Sequence, residues 1–354
     1  MTDIEIDGRP IGPDHPPYVI AELSANHNGN LDQALRIIDA AKTAGADAVK
    51  LQTYRPDTIT LDSDAPEFLI NDGLWAGHRL YDLYEWAHTP WGWHPRLFDH
   101  ARAQGLTIFS SPFDPTAVEL LAGLNAPAYK IASFEAVDLP LIRTVAAQGK
   151  PMIISTGMAD AEEIGEAIAA ARGAGCEQLV ILHCVSGYPA PAGDYNLLTM
   201  VDMAKRFDVP VGLSDHTLDN TTAIASVALG ACVIEKHFTL DRSGGGPDDS
   251  FSLEPAEFAA LCAAARTAWE ARGSVEYGRK SSERENLKFR RSLYYVQDIP
   301  AGGTVSPDAV RSVRPGYGAP PKKLDEVIGR QVIEPVTACT PVIMENLKKS
   351  DPYD

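Results

Sequence analysis

Between residues 18 and 271 the chain alternates short aliphatic or β-branched runs with alanine-rich amphipathic stretches, and it does so eight times. This alternation is the pattern of strand-helix units wound around a parallel sheet. Strands are expected at residues 18–23, 48–52, 107–110, 128–131, 152–155, 179–183, 211–213 and 231–236. Helices such as 31–44, 115–121, 161–172 and 221–229 directly follow Asn30, Asp114, Asp160 and Asn220, side chains suited to cap them. Pro115 also suits a first helical position. Eight units in about 250 residues is the size of a (β/α)₈ TIM barrel, an α/β fold. An open doubly wound sheet fits the alternation too, but eight units favour closure.

The pattern stops at Gly273, so residues 1–275 are expected to form the barrel domain. Residues 276–289 read as a linker; six basic and two acidic residues crowd the stretch from Arg279 to Arg291. Residues 290–354 hold short extended pieces at 292–296, 303–305, 310–315 and 332–337 between Pro and Gly signals, which suits a small, mostly irregular module. The long connection from 54 to 91 carries Phe68, Trp75, Tyr81, Tyr84, Trp86 and Trp91, and is expected to cover one end of the barrel.

Thirty-one Lys and Arg against 48 Asp and Glu leave a net charge of −17. Nucleic acid and anionic membrane surfaces would be repelled, so no partnership with either is expected, and an anionic ligand needs local basic residues. The five cysteines are scattered without a Cys-x-x-Cys pair, which argues against a disulfide framework or structural zinc. The start of the sequence lacks the basic and apolar segments of a signal peptide, and no apolar run approaches the roughly 18 residues of a membrane span, so a cytoplasmic location is expected.

Active sites of such barrels lie at the C-terminal ends of the strands. Reactive side chains recur there: Glu22; Lys50 and Gln52; Ser110 and Ser111; Lys130, Ser133 and Glu135; Ser155; His183, Ser186 and Tyr188; Ser214, Asp215 and His216; Glu235, Lys236 and His237. His216 and His237 end adjacent strands, about 4.8 Å apart, and can share one metal ion, with Glu22, Asp215 or Glu235 assisting. Each can equally be a histidine hydrogen-bonded near a strand end. His27 can act on substrate or stabilise its own turn. Lys50 and Lys130 can bind one small dianion together with Ser111, Ser133, Ser155 and Ser214; a Schiff-base lysine or a simple ion pair are the rivals. The glycine-rich stretch from Ser243 to Asp249 is no P-loop, and reads as a flexible loop over the mouth with Asp248 free for a polar ligand.

Taken together, the motifs Ile20-Ala21-Glu22-Leu23-Ser24-Ala25-Asn26-His27-Asn28-Gly29, Lys50-Leu51-Gln52-Thr53-Tyr54, Tyr129-Lys130-Ile131, Ser155-Thr156-Gly157-Met158, Gly212-Leu213-Ser214-Asp215-His216 and Glu235-Lys236-His237-Phe238 resemble the sialic acid synthase family. Arg290-Arg291-Ser292-Leu293 and Val313-Arg314-Pro315-Gly316 look like that family's C-terminal antifreeze-like (SAF) domain. Asn71-Asp72-Gly73-Leu74-Trp75 and Ala132-Ser133-Phe134-Glu135 look most like the pseudaminic acid branch; Phe134 and Ser186 stand where the neuraminate branch has Gly and Asn.

The resemblance implies condensation of phosphoenolpyruvate with an N-acetylated amino sugar, here 2,4-diacetamido-2,4,6-trideoxy-β-L-altropyranose, to a nine-carbon keto acid and phosphate. A neuraminate or legionaminate synthase is the alternative. His216 and His237 would bind Mn²⁺, Mg²⁺ or Co²⁺, and Glu22, Glu135 and His237 would serve catalysis, Glu135 by activating water. Lys50, Ser111, Lys130, Ser133, Ser155 and Ser214 would hold phosphoenolpyruvate, while Gln52, Ser186, Tyr188 and Asp248 line the substrate site. The family works as a domain-swapped homodimer, so Arg314 would reach the partner's sugar. Phe134 and the aromatic loop are expected to make the sugar pocket smaller and more apolar.

Overall fold

A computed structural model describes residues 3–348, and the chain divides into two compact units, Met1–Gly273 and Ser274–Asp354. The last six residues of the expected 290–354 module lie outside the described residues. In the first unit a hairpin of β1 (Ile4–Ile6) and β2 (Arg9–Ile11) precedes eight parallel strands that close into a barrel. These are β3 (Tyr18–Glu22), β4 (Ala48–Thr53), β5 (Thr107–Pro112), β6 (Tyr129–Ile131), β7 (Met152–Ser155), β8 (Leu179–Cys184), β9 (Val211–Asp215) and β10 (Val233–His237), with β10 pairing β3.

Several strands run further into the mouth than their apolar runs suggest: β5 reaches Pro112, β9 Asp215 and β10 His237. The backbone ladder continues wherever the neighbouring strand is present, whatever the side chain. Helix Leu31–Ala44 is capped by Asn30, which accepts from the backbone of Asp32 and Gln33; Pro115–Gly123 is capped by Asp114, and Ala161–Gly173 by Asp160 with a reciprocal bond from Glu163. Asn220 does not cap Thr221–Ala228. Its amide donates to the Glu257 carbonyl at 2.9 Å, and Asp219 takes the Thr221 N–H at 2.7 Å instead.

The hairpin was not expected, although Ile4-Glu5-Ile6-Asp7-Gly8 carries its signal. Asp7 and Gly8 both take positive φ, 52° and 80°, as a tight hairpin turn demands. Ile4, Ile6 and Ile11 join Ile20, Ala48, Phe109, Ile153, Val180 and Val233 in one apolar cluster, so the hairpin plugs the N-terminal end of the barrel. A second, larger cluster fills the space between the barrel and its helices.

The second unit begins with exposed chain and a 3₁₀ stretch, Ser281–Phe289. Next come β11 (Ser292–Tyr295) and β12 (Val310–Val313), an antiparallel pair, with isolated bridges Thr304 to Gln331 and Ile299 to Val336. Its small core includes Leu293, Tyr295, Val305, Val327, Val332 and Val342. Among the described residues no helix is long and apolar enough to cross a membrane.

Gly212 shows how tightly the barrel is filled. A Cβ there would lie 2.5 Å from the Val233 carbonyl oxygen and 2.6 Å from Leu182 Cδ2, in the layer below the mouth. Gly212→Ala should therefore cost about 1–3 kcal/mol of stability, measured by urea unfolding; an unchanged midpoint would contradict this packing.

Candidate active site

Strand residues alternate between the barrel interior and the helix layer. On the interior side Ile20, Ala48, Phe109, Ala128, Ile153 and Val233 form an apolar floor. Two residues further along the same strands come Glu22, Lys50, Ser111, Lys130, Ser155 and Glu235, all buried. The polar mouth is thus the next storey of the same side-chain stack. The alternation also sorts the strand-end residues, because Ser110, His183, Asp215 and Lys236 fall on the other face. Lys236 Nζ is fully enclosed by Asp215 Oδ2 at 2.6 Å and the carbonyls of Thr217 and Asp219, both at 2.7 Å. Asp215 is therefore spoken for on the helix side and does not assist the histidines, a correction to the sequence expectation.

Inside the mouth, charges meet. Lys50 Nζ lies 2.6 Å from Glu22 Oε2 and 3.5 Å from Glu235 Oε1, and Lys130 Nζ lies 3.7 Å from Glu235 Oε1. Lys50 also donates to Ser111 Oγ at 3.4 Å, and Glu235 Oε1 lies 3.5 Å from Ser214 Oγ. Burial lowers Lys130 below the ordinary lysine value, with Glu235 acting against it. Burial would raise Glu235, but Lys130 and Lys50 hold it below the usual carboxylate range. Ser155 Oγ and Glu235 Oε2 are buried without a hydrogen-bond partner. Two cations and unsatisfied polar atoms in one enclosure suit a small dianion.

The rings of His216 and His237 are 5.4 Å apart, centroid to centroid. A carbonyl can only accept, so His216 Nδ1–H donates to Val185 O at 2.8 Å and leaves Nε2 for another partner; burial would lower this imidazole, but Cys184 and the Val185 carbonyl hold it above its ordinary value. His237 Nδ1 is buried without a partner, and burial, followed by the proximity of His216, pushes this imidazole well below its ordinary value. A buried imidazole held below its ordinary value with an orphaned ring nitrogen, beside a second histidine anchored through Nδ1, fits a divalent cation. Among the described residues no group of three or more His, Cys, Asp or Glu side chains is placed to hold a metal. Phe251 packs against His237 at 4.9 Å and Tyr188 against His216 at 4.4 Å.

Around this centre Gln52 Nε2 donates to Glu22 at 3.1 Å and to Ser24 Oγ at 3.0 Å, and Ser24 in turn donates to Asp248. Ser133 Oγ accepts from the Gly157 N–H at 3.2 Å, and a Cβ on Gly157 would strike both Ser133 and Ser186, which places the three side by side. The loop over the mouth is not free: Asp249 is buried and accepts from Asn28 at 2.9 Å, Thr239 at 2.5 Å and Gly246 N at 2.8 Å. Trp75 of the long connection donates to Pro247 O at 2.9 Å and packs on Tyr188 at 5.6 Å, so that connection does cover the mouth. His27 accepts from Gly29 N at 3.1 Å and is buried against Trp93, which is its turn-stabilising role. Phe134 is 60% exposed and is no wall of this enclosure, which corrects the expectation that it narrows the pocket. Arg314, in the second unit, is exposed there. Ser24, Cys184, Trp75 and Phe251 were missed as site residues; the first two obey the same two-residue step from Glu22 and Leu182, whereas the aromatics come from connections with no such signal.

The family model of the NeuB family matches residues 37–277, and that of the SAF domain residues 290–348. The chain belongs to the NeuB family, the sialic acid synthases, and is an enzyme of that family built as a TIM barrel with a C-terminal SAF domain. It is 46% identical over 314 residues to the pseudaminic acid synthase of Campylobacter jejuni subsp. jejuni serotype O:2, covering 89% of this chain and 92% of the relative. It is 42% identical over 337 residues to the pseudaminic acid synthase of Helicobacter pylori, covering 95% and 99%. The solved N-acetylneuraminic acid synthetase of Leptospira borgpetersenii, in complex with citrate, superposes with a TM-score of 0.73 at 30% identity, over 82% of this chain and 96% of that one.

Glu135 follows the fourth barrel strand, and burial pushes its carboxyl from 4.5 up to about 7, with Oε2 buried and unpartnered. A carboxyl raised in the folded state contributes stability that is full below its unfolded value and lost as pH rises through the folded one. Between pH 4.5 and about 7 the protein should therefore lose stability relative to Glu135→Gln, the gap levelling off above. If the carboxylate is the working form, kcat/KM rises through about pH 7, and Glu135→Gln lacks that limb. Parallel urea-unfolding curves for the two proteins across that range would contradict it.

Proposed function

We propose that the chain condenses phosphoenolpyruvate with 2,4-diacetamido-2,4,6-trideoxy-β-L-altropyranose, giving pseudaminic acid and phosphate. The observation that carries this is the mouth's composition: two buried lysines sharing carboxylates, beside a pair of histidines, in a chain 42–46% identical to three pseudaminic acid synthases. The neuraminic acid synthetase above stands at 30%, which favours the pseudaminate sugar.

Lys50 and Lys130, with Ser111, Ser133, Ser155 and Ser214, hold the phosphate and carboxylate of phosphoenolpyruvate. Glu22 and Glu235 hold those lysines in place when the site is empty of substrate. Gln52, Ser186, Tyr188 and Asp248 contact the sugar in its open-chain form. Carbon 3 of the enol phosphate bonds to the aldehyde carbon, the aldehyde oxygen becomes a hydroxyl, water adds at carbon 2, and inorganic phosphate leaves. Glu135 takes the proton of that water. A divalent ion bound by His216 and His237, Mn²⁺, Mg²⁺ or Co²⁺, supplies Lewis acidity when present.

The small domain acts in trans, in a domain-swapped homodimer, with Arg314 reaching the partner's sugar. What supports this is that Arg314 is exposed and without a hydrogen-bond or ion-pair partner among the described residues. Mixed dimers of inactive His216→Ala and inactive Arg314→Ala subunits should regain turnover, because one class of site then carries neither change; confirmed heterodimers without activity would contradict the arrangement.

The sugar is tested directly by kcat/KM for the trideoxy diacetamido sugar, its legionaminate counterpart and N-acetylmannosamine, with product masses recorded. The first should be preferred, over N-acetylmannosamine by about 5- to 150-fold, since a buried hydroxyl without a partner costs about 1–3 kcal/mol. Equal values, or a preference for either of the others, would return the chain to another branch of the family.

A further inference from the structure

His216 is held by three close hydrogen bonds from the stretch of chain after β8, while Cys184 Sγ at the end of β8 makes a longer contact to its Nδ1 at 3.9 Å. Its ring Nδ1–H donates to Val185 O at 2.8 Å, its backbone carbonyl accepts from Ala190 N at 3.0 Å, and its backbone N–H donates to the Tyr195 phenol oxygen at 2.7 Å. The same phenol donates to the Ser214 carbonyl at 3.4 Å. Tyr195 is completely buried and ends the short turn Ala192–Tyr195. One hydroxyl therefore bridges the backbone of Ser214 and His216, the two residues of this strand end that face the mouth.

The N–H of His216 lies one residue beyond the last rung of β9, where no ladder partner remains. Without the phenol it would be a buried donor with nothing to bond. The peptide carrying that N–H also sets where the His216 side chain starts, so a shift there moves the ring against its Val185 anchor.

We propose that Tyr195 is a positioning residue of the metal site, its hydroxyl fixing the Asp215–His216 peptide and through it the direction of the His216 ring. This rests on reading His216 and His237 as the metal pair. The role belongs to a residue with no place in the substrate or metal contacts, and nothing in the local sequence marks it.

The test is Tyr195→Phe, which deletes one oxygen and keeps the ring that fills the site. Mn²⁺ alone, without substrates, is titrated into wild type and variant, and the free ion is followed by electron paramagnetic resonance. The variant should bind Mn²⁺ about tenfold more weakly, the usual loss for a group that orients a ligand, and saturating Mn²⁺ should restore most of kcat. Ser226→Ala is the control for general loosening. It removes a buried hydroxyl bond to Ala223 O at 2.7 Å on the helix Thr221–Ala228, and should leave Mn²⁺ affinity at the wild-type value. Affinity within twofold of wild type in Tyr195→Phe, or an equal loss in Ser226→Ala, overturns the proposal. A wild type that binds no Mn²⁺ overturns the metal reading itself and this inference with it.

Discussion

Four buried charges, Glu22, Lys50, Lys130 and Glu235, hold the mouth of the barrel in register, and the rest of the site is arranged around them. A lone buried ion costs several kcal/mol, so each needs its partners at close range. Those partners sit on β3, β4, β6 and β10, the first and last strands of the barrel among them. Only because β10 pairs β3 does Glu235 reach Lys50 and Lys130. Opened at that seam, the sheet would leave uncompensated charges, so closure and charge balance support each other. The balance is also loose where it matters: at 3.5 and 3.7 Å the lysines share Glu235 without being saturated by it, and keep donors for an incoming anion.

The barrel was legible because its information is local and periodic. Aliphatic runs of three to six residues mark strands, and Asn30, Asp114 and Asp160 mark helix starts, since each effect acts within a turn of chain. Asn220 failed as a cap because an adjacent aspartate competes for the same N–H while the Glu257 carbonyl draws the asparagine away, and that competition is set by packing. The hairpin at residues 4–11 is hidden in the sequence for a different reason. Its strands are three residues each, below the length at which alternation stands out.

The candidate site was legible in its lysines, histidines and serines, because a two-residue step from the apolar floor leads to them. The same step, applied strictly, separates Glu235 from Asp215 and Lys236, a distinction that position at a strand end alone does not make. What the sequence could not convey lies in the connections. Whether the loop at 243–249 is free depends on Asn28 and Thr239, residues remote or only loosely placed in sequence. Phe134 looked like a pocket wall from its neighbour Ser133, yet it is exposed, because the 3₁₀ turn Ser133–Glu135 points successive side chains in different directions. Tyr195 reaches the strand end across a loop, and no periodicity announces it.

The central claim is that the balanced lysine pair is the seat of phosphoenolpyruvate. A crystal structure of the protein with phosphoenolpyruvate bound tests it most directly. The account predicts ligand oxygens within hydrogen-bond distance of both Lys50 Nζ and Lys130 Nζ, with Ser111, Ser155 and Ser214 completing the cradle. Phosphoenolpyruvate bound away from either lysine, with their present protein contacts unchanged, would contradict it.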